Sequence, residues 1–200
     1  MHTIEVNDIC NIGLNGLTEL RPCLYGINEQ GTIVKTLYCT RDGRFYVHYA
    51  DGWHKQKPSF NPGKQNHQGG SAYPEMRNFG NKLCHHLMTH AWLGPLPEGK
   101  ERDHLNGNKL DWNILNLRYL THPENIDWGK RLKQLRRLGI NPTWLNYSIL
   151  RALASLPTEQ AERVINRFRF EAGTSDDAIS TERINMTFAF LLDELKSEQS

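Results

Sequence analysis

Apolar residues change their spacing along this chain, and that change limits what it can fold into. Between Tyr25 and Gln56, short β-prone runs alternate with the turn signals Asn28-Glu29-Gln30-Gly31, Asp42-Gly43 and Asp51-Gly52. Such spacing predicts small antiparallel hairpins. Near the other end, Ala161, Val164, Ile165 and Phe168 recur at i, i+3, i+4 and i+7. Ile184, Phe188, Leu191, Leu192 and Leu195 follow a similar rule. Both runs predict amphipathic helices. Strands gathered first and helices last predict an α+β fold.

The middle of the chain joins the two patterns. Residues 57–71 are rich in Gly, Pro, Asn and Gln and predict a long loop. "KLCHHLMTHAWLG" predicts a short helix with Leu83, Leu87, Ala91 and Trp92 near one side. "ERDHL" and "LRYLT" predict two short strands linked by the turn-rich "NGNKLDWN". "HPENIDWGKRLKQLRRLG" predicts a helix with Pro123 early and Gly139 as its stop. Asn141-Pro142 predicts the start of another helix carrying Trp144, Leu145, Ile149, Leu150 and Leu153, and Pro157 breaks that run. Residues 1–24 are mixed. The expected division is a β-rich module over 1–70, a central core over 71–139 and a helical region over 140–200.

Composition removes several classes. A chain of 200 residues with 38% hydrophobic and 23% charged content suits folded domains rather than disorder. A net charge of +2 is too small for a global nucleic-acid footprint, so any basic surface must be local. Cys10, Cys23, Cys39 and Cys84 form no CxxC pair. A structural zinc site or a disulfide framework is not expected, and reduced thiols in a cytoplasmic protein are. The N-terminus has no basic leader, and no run approaches the length of about 18 apolar residues needed to span a bilayer.

The central segment carries the chemistry. Asp103-His104 ends a predicted strand, and Asn125 opens a predicted helix. A hairpin folded on that helix would bring Asp103 and Asn125 together. A carboxylate and an amide carbonyl are hard oxygen ligands that suit Mg²⁺ or Mn²⁺. On a strand, Asp103 and His104 point to opposite faces, unless the strand end twists. A neutral imidazole at His104 can take a proton from water, and Asn116 could fix the loop or help orient the ring. Base, metal and rigid loop together suit phosphodiester hydrolysis.

From Leu83 to Asn125 the sequence "LCHHLMTHAWLGPLPEGKERDHLNGNKLDWNILNLRYLTHPEN" resembles the HNH endonucleases, in particular the phage- and intron-associated homing type. It keeps the Asp-His pair, the Asn-Gly-Asn-Lys turn, the Asn-Leu-Arg-aromatic strand and the final Glu-Asn. The resemblance implies the ββα-metal fold, with His104 as general base and Asn116 holding the loop. It implies that Asp103 and Asn125 hold one divalent metal; Asn125 stands where many members have His. "YGINEQGTIV" is more weakly similar to a small DNA-contacting β-module found before the nuclease in phage members. His86 replaces a usual Arg, and Trp112 replaces a usual Asn.

His85, His86, Lys109, Arg118, Lys130 and Arg131 are candidate substrate contacts. The last two belong to the basic run "GKRLKQLRR", which either tracks phosphates or is a solvated helix face. Asn106, Asn108 and Asn113 read as turn residues, and His122 as a cap or solvent residue. Tyr46, Tyr49 and Trp53 read as core. The expected partner is DNA, with no membrane, and the C-terminal helices could dimerise the chain or read DNA. The alternatives are a DNA-binding protein that does not cut, and a nuclease acting on RNA or a modified nucleotide, for which no aromatic RNA-binding signature is present.

Overall fold

The computed structural model describes residues 2–4, 12–14, 18–60, 73–172 and 180–198. Cys10 and residues 61–71 of the expected long loop lie outside them. Ser59, near the start of that stretch, and Glu75, beyond it, exchange backbone hydrogen bonds of 2.8 and 2.9 Å.

The hairpin signals become one sheet. Its strands are β1 (His2–Ile4), β2 (Ile12–Leu14), β3 (Thr18–Ile27), β4 (Ile33–Thr40), β5 (Phe45–Tyr49) and β6 (Gly52–Gln56). The order is β1-β3-β4-β5-β6, with β2 also on β3. In the β4–β5 register, Leu37 faces Val47 and Cys39 faces Phe45, and all four are buried. Period-two alternation then sends Tyr46 and His48 to the other side. The expectation that Tyr46, Tyr49 and Trp53 are core is therefore corrected: none is buried. Trp53 packs edge-on against Tyr38 and His48 at 5.1 and 4.8 Å.

A two-stranded ribbon, β7 (Glu75–Met76) with β8 (Lys82–Leu83), leads into α1 (Cys84–Leu93). Helix α1 lays Leu87, Met88 and Ala91 into a core shared with Cys23, Leu24, Leu37, Phe45, Ile114 and Leu117. Each large side chain so buried contributes about 1.5–3 kcal/mol relative to exposure. Strands β9 (Lys100–His104) and β10 (Leu117–Thr121) form another two-stranded sheet. The free cysteines Cys23, Cys39 and Cys84 are buried.

Helix α2 (His122–Arg137) follows β10 directly. Thr121 caps it: the Thr121 N–H donates to Glu124 Oε2 at 2.7 Å, and the Glu124 N–H returns to Thr121 Oγ1 at 3.5 Å. The cap is thus Thr121, and His122 is exposed. Helices α3 (Tyr147–Ser155), α4 (Thr158–Ala172) and α5 (Thr181–Ser197) complete the chain. The expected helix start at Asn141-Pro142 is corrected. Asn141 caps only one 3₁₀ turn, Pro142–Trp144, and Trp144 is 43% exposed. The spaced residues Val164, Ile165 and Phe168 of α4 meet Ile184, Phe188 and Leu191 of α5 in one core. Phe168 and Phe188 stack at 4.4 Å.

The fold is mixed α+β. It divides into two units, Met1–His104 with Lys109–Tyr119, and Leu105–Asn108 with Leu120–Ser200. Among the described residues, no helix is long and apolar enough to cross a membrane.

Candidate active site

Strand β9 ends on Asp103-His104, and the two side chains meet different surroundings. The Asp103 Oδ2 accepts from Arg118 Nε at 2.9 Å, an ion pair between adjoining strands. Arg118, a candidate phosphate contact, is therefore engaged with the carboxylate, and both side chains are less than one-fifth exposed.

His104 is 6% exposed. Its ring centroid lies 5.1 Å from that of His85 on α1 and 6.0 Å from that of Tyr73. His85 is also 6% exposed and sits 4.7 Å from Tyr73 and 4.4 Å from His86. Lys109 places its Nζ 4.7 Å over the Tyr73 ring. His85 Nδ1 and His104 Nε2 are buried with no hydrogen-bond partner.

Both histidines stay neutral at pH 7. Burial pushes the His85 pKa down to about 2, helped by the positive fields of His86, His104, Arg102 and Lys109. Burial also lowers His104; the Asp103 and Asp111 carboxylates pull the other way, and Lys109 adds to the lowering. A neutral ring is the form that accepts a proton. The neighbouring Cys84 thiol is pushed up to about 12 by burial, which rules it out as a thiolate nucleophile at neutral pH.

The loop between β9 and β10 is fixed from within. Asn116 is fully buried, and its Nδ2 donates to the Asp111 carbonyl at 2.8 Å. Trp112, one residue on, donates from Nε1 to the Gly43 carbonyl at 2.7 Å. The Ile114 N–H donates to the Arg41 carbonyl at 3.0 Å. Two backbone sites in the β4–β5 turn thus anchor the loop that carries Asn116. Asn106 and Asn113 act as turn residues, accepting from the N–H groups of Asn108 and Leu115 at 2.8 and 2.9 Å.

Asn125, Lys130 and Arg131 stand on α2, in the other unit. Asn125 is half-buried in the first turn, and Lys130 is exposed. Arg131 departs from its reading as a substrate contact. It is 6% exposed, and its Nη1 donates to the Leu153 and Leu156 carbonyls at 2.7 and 2.8 Å. Its Nη2 pairs with Asp127 at 2.8 Å. Both terminal nitrogens of this guanidinium are thus engaged within the protein, and only the buried Nε is left over. Lys130, Lys133, Arg136 and Arg137 are the exposed members of that run.

Among the described residues, no cluster of three or more His, Cys, Asp or Glu side chains is arranged to hold a metal. A hydrated divalent ion needs fewer protein ligands, because it keeps several waters. Asp103 fits that demand, since the Arg118 bond falls on Oδ2 alone. Tyr73 and Asp111 were missed in the sequence. Tyr73 carries no motif, and Asp111 looks like one more turn residue.

Residues 82–126 match a family model described as HNH endonuclease. No curated protein and no solved structure matches the chain. The match begins at β8, spans α1, β9 and β10, and ends in α2, so it encloses Asp103, His104, Asn116 and Asn125. Residues 82–126 are thus the part of the chain that is similar to the HNH endonucleases.

Proposed function

We propose that this protein is a metal-dependent DNA endonuclease of the phage- or intron-associated homing type, acting in the cytoplasm of a host cell. The observation that carries the reading is a buried, neutral His104 inside the HNH match. His104 takes a proton from water; the water oxygen bonds to phosphorus, and the bond to the 3′ oxygen breaks. Asp103 and Asn125 are the ligands the family pattern gives to one Mg²⁺ or Mn²⁺, whose charge would stabilise the transition state and the leaving oxygen. Asn116 holds the loop. Lys109, His86 and the exposed cations of α2 serve the DNA backbone, and His85 lies beside the reacting groups.

In this reading residues 1–70 form a DNA-contacting module, 71–139 the nuclease core, and 140–200 a helical region for dimerisation or further DNA contact. One metal-and-base set serves one phosphate, so a monomer nicks and a dimer cuts both strands.

The test is incubation with supercoiled plasmid and Mg²⁺ or Mn²⁺, beside His104→Ala and an EDTA control. Cleavage by the wild type alone supports the reading. Equal cleavage by the variant removes His104 as base. The competing reading is a DNA-binding protein that does not cut. It draws on the Asp103–Arg118 pair, because a carboxylate held by a guanidinium is a weaker cation ligand. DNA binding without cleavage under every metal tried would favour it.

A further inference from the structure

Two buried polar atoms without partners lie on rings that touch. His85 Nδ1 and His104 Nε2 each lack a hydrogen bond, and each side chain is 6% exposed. Leaving such an atom unsatisfied costs about 1–3 kcal/mol. Two such costs on neighbouring rings point to a ligand common to both. The ring centroids are 5.1 Å apart. Two hydrogen bonds of about 2.9 Å to one oxygen span at most about 5.8 Å, a separation that nitrogens on rings this close can meet.

We infer that His85 Nδ1 and His104 Nε2 share one water, and that this water is the nucleophile, which makes His85 a second catalytic residue. The inference rests on the nuclease reading. His85 stays uncharged among Arg102, Lys109 and His86, so its nitrogen is an acceptor rather than a phosphate clamp. With both hydrogens held by ring nitrogens, the lone pairs of the water oxygen are left to face phosphorus. In the reaction the hydrogen on His104 passes to Nε2 as a proton. The hydrogen on His85 stays on the oxygen, which bonds to phosphorus as the bond to the 3′ oxygen breaks. Tyr73, against both rings, with Lys109 over it, closes one side of the pair.

The test compares His85→Phe and His85→Asn in the full chain. Single-turnover cleavage and DNA affinity are measured separately, with thermal unfolding as the fold control. Phe removes the acceptor, and the amide oxygen of Asn restores one near the Nδ1 position. The expected result is an approximately 100-fold slower cleavage for Phe at unchanged DNA affinity, with Asn within about tenfold of wild type. Wild-type rates in both variants, or equal loss of rate and affinity in both, would overturn the inference. A second measurement stands apart from activity and from the folding of the Phe variant: nitrogen NMR of histidine-labelled wild type and His104→Ala. A hydrogen-bonded, unprotonated Nδ1 of His85 whose resonance moves in His104→Ala supports the shared water. A resonance indifferent to that change excludes it. If the wild type cuts no DNA under any metal, the nuclease reading fails on its own, and the NMR result alone decides whether the two rings share a water.

Discussion

Two buried polar sets, one in each unit, are treated differently. In the helical unit, Asn185 accepts from the Asn146 N–H at 2.7 Å and donates to the Trp144 and Thr181 carbonyls at 2.8 and 2.7 Å. Arg131 engages two carbonyls, a hydroxyl and a carboxylate, with only its Nε left over. In the unit that carries Asp103 and His104, two imidazoles keep a nitrogen open. Satisfied groups fix a structure because breaking them exposes a desolvation cost. Open ones lower stability and are tolerated where a ligand or reaction uses them. Asn185 and Arg131 thus serve shape, and the histidine pair suits chemistry.

The sharpest way to break this contrast is at His104. Replacement by Phe should slow cleavage by about 10²–10⁴-fold while leaving the unfolding midpoint near wild type. A large fall in stability instead would show that the ring is structural. Arg131→Met should do the reverse. Its removal strands two carbonyls and the Asp127 carboxylate, which is 35% exposed and so partly relieved by water. Urea unfolding should register a loss of about 2–3 kcal/mol, with residual cleavage by the folded fraction intact.

The two histidines also make stability depend on pH. The folded pKa values of His85 and His104 lie below the unfolded value of about 6.5. The unfolded chain then takes up protons first as pH falls. Their contribution is therefore fully present above pH 6.5 and is lost below it. Below pH 6.5 His85 should remove up to about 1.4 kcal/mol per pH unit on acidification, down to about pH 2 if the fold survives, and His104 acts in the same direction. Unfolding curves between pH 7 and pH 5 should show this slope, and His85→Asn should reduce it.

Gly43→Ala carries the smallest effect. Gly43 has φ +87°, and an added Cβ would lie 2.6 Å from the Trp112 ring. A cost of about 1–2 kcal/mol is expected from backbone strain and displaced packing. Because the same turn anchors the Asn116 loop, cleavage should fall more than DNA affinity does. An unchanged rate would separate the β4–β5 turn from the chemistry.

Much of this was legible in the residues. Asp42-Gly43 and Asp51-Gly52 marked real turns, because few residues other than glycine adopt positive φ. "LRYLT" fell on β10, and the spacing from Ala161 to Phe168 and from Ile184 to Leu195 fell on α4 and α5, because local periodicity writes helix faces directly. The order Asp103, His104, Asn116 and Asn125 carried the resemblance to HNH endonucleases that the family match over residues 82–126 also finds. Asn141-Pro142 misled because a cap signal starts one turn as readily as a whole helix.

What the sequence determined by itself was therefore linear: the strands, the turns and the helix faces, each set by residues within a few positions of one another, and the HNH pattern, carried by residue order over 82–126. Tertiary structure decided the rest. It turned Tyr46 and Trp53 away from the core, buried Arg131 against carbonyls more than twenty positions away, gave Asp103 its partner on the next strand, and set His85 and Tyr73 beside His104. Burial, charge partners and open hydrogen-bond positions arise only when distant segments pack, and no spacing rule along the chain encodes them.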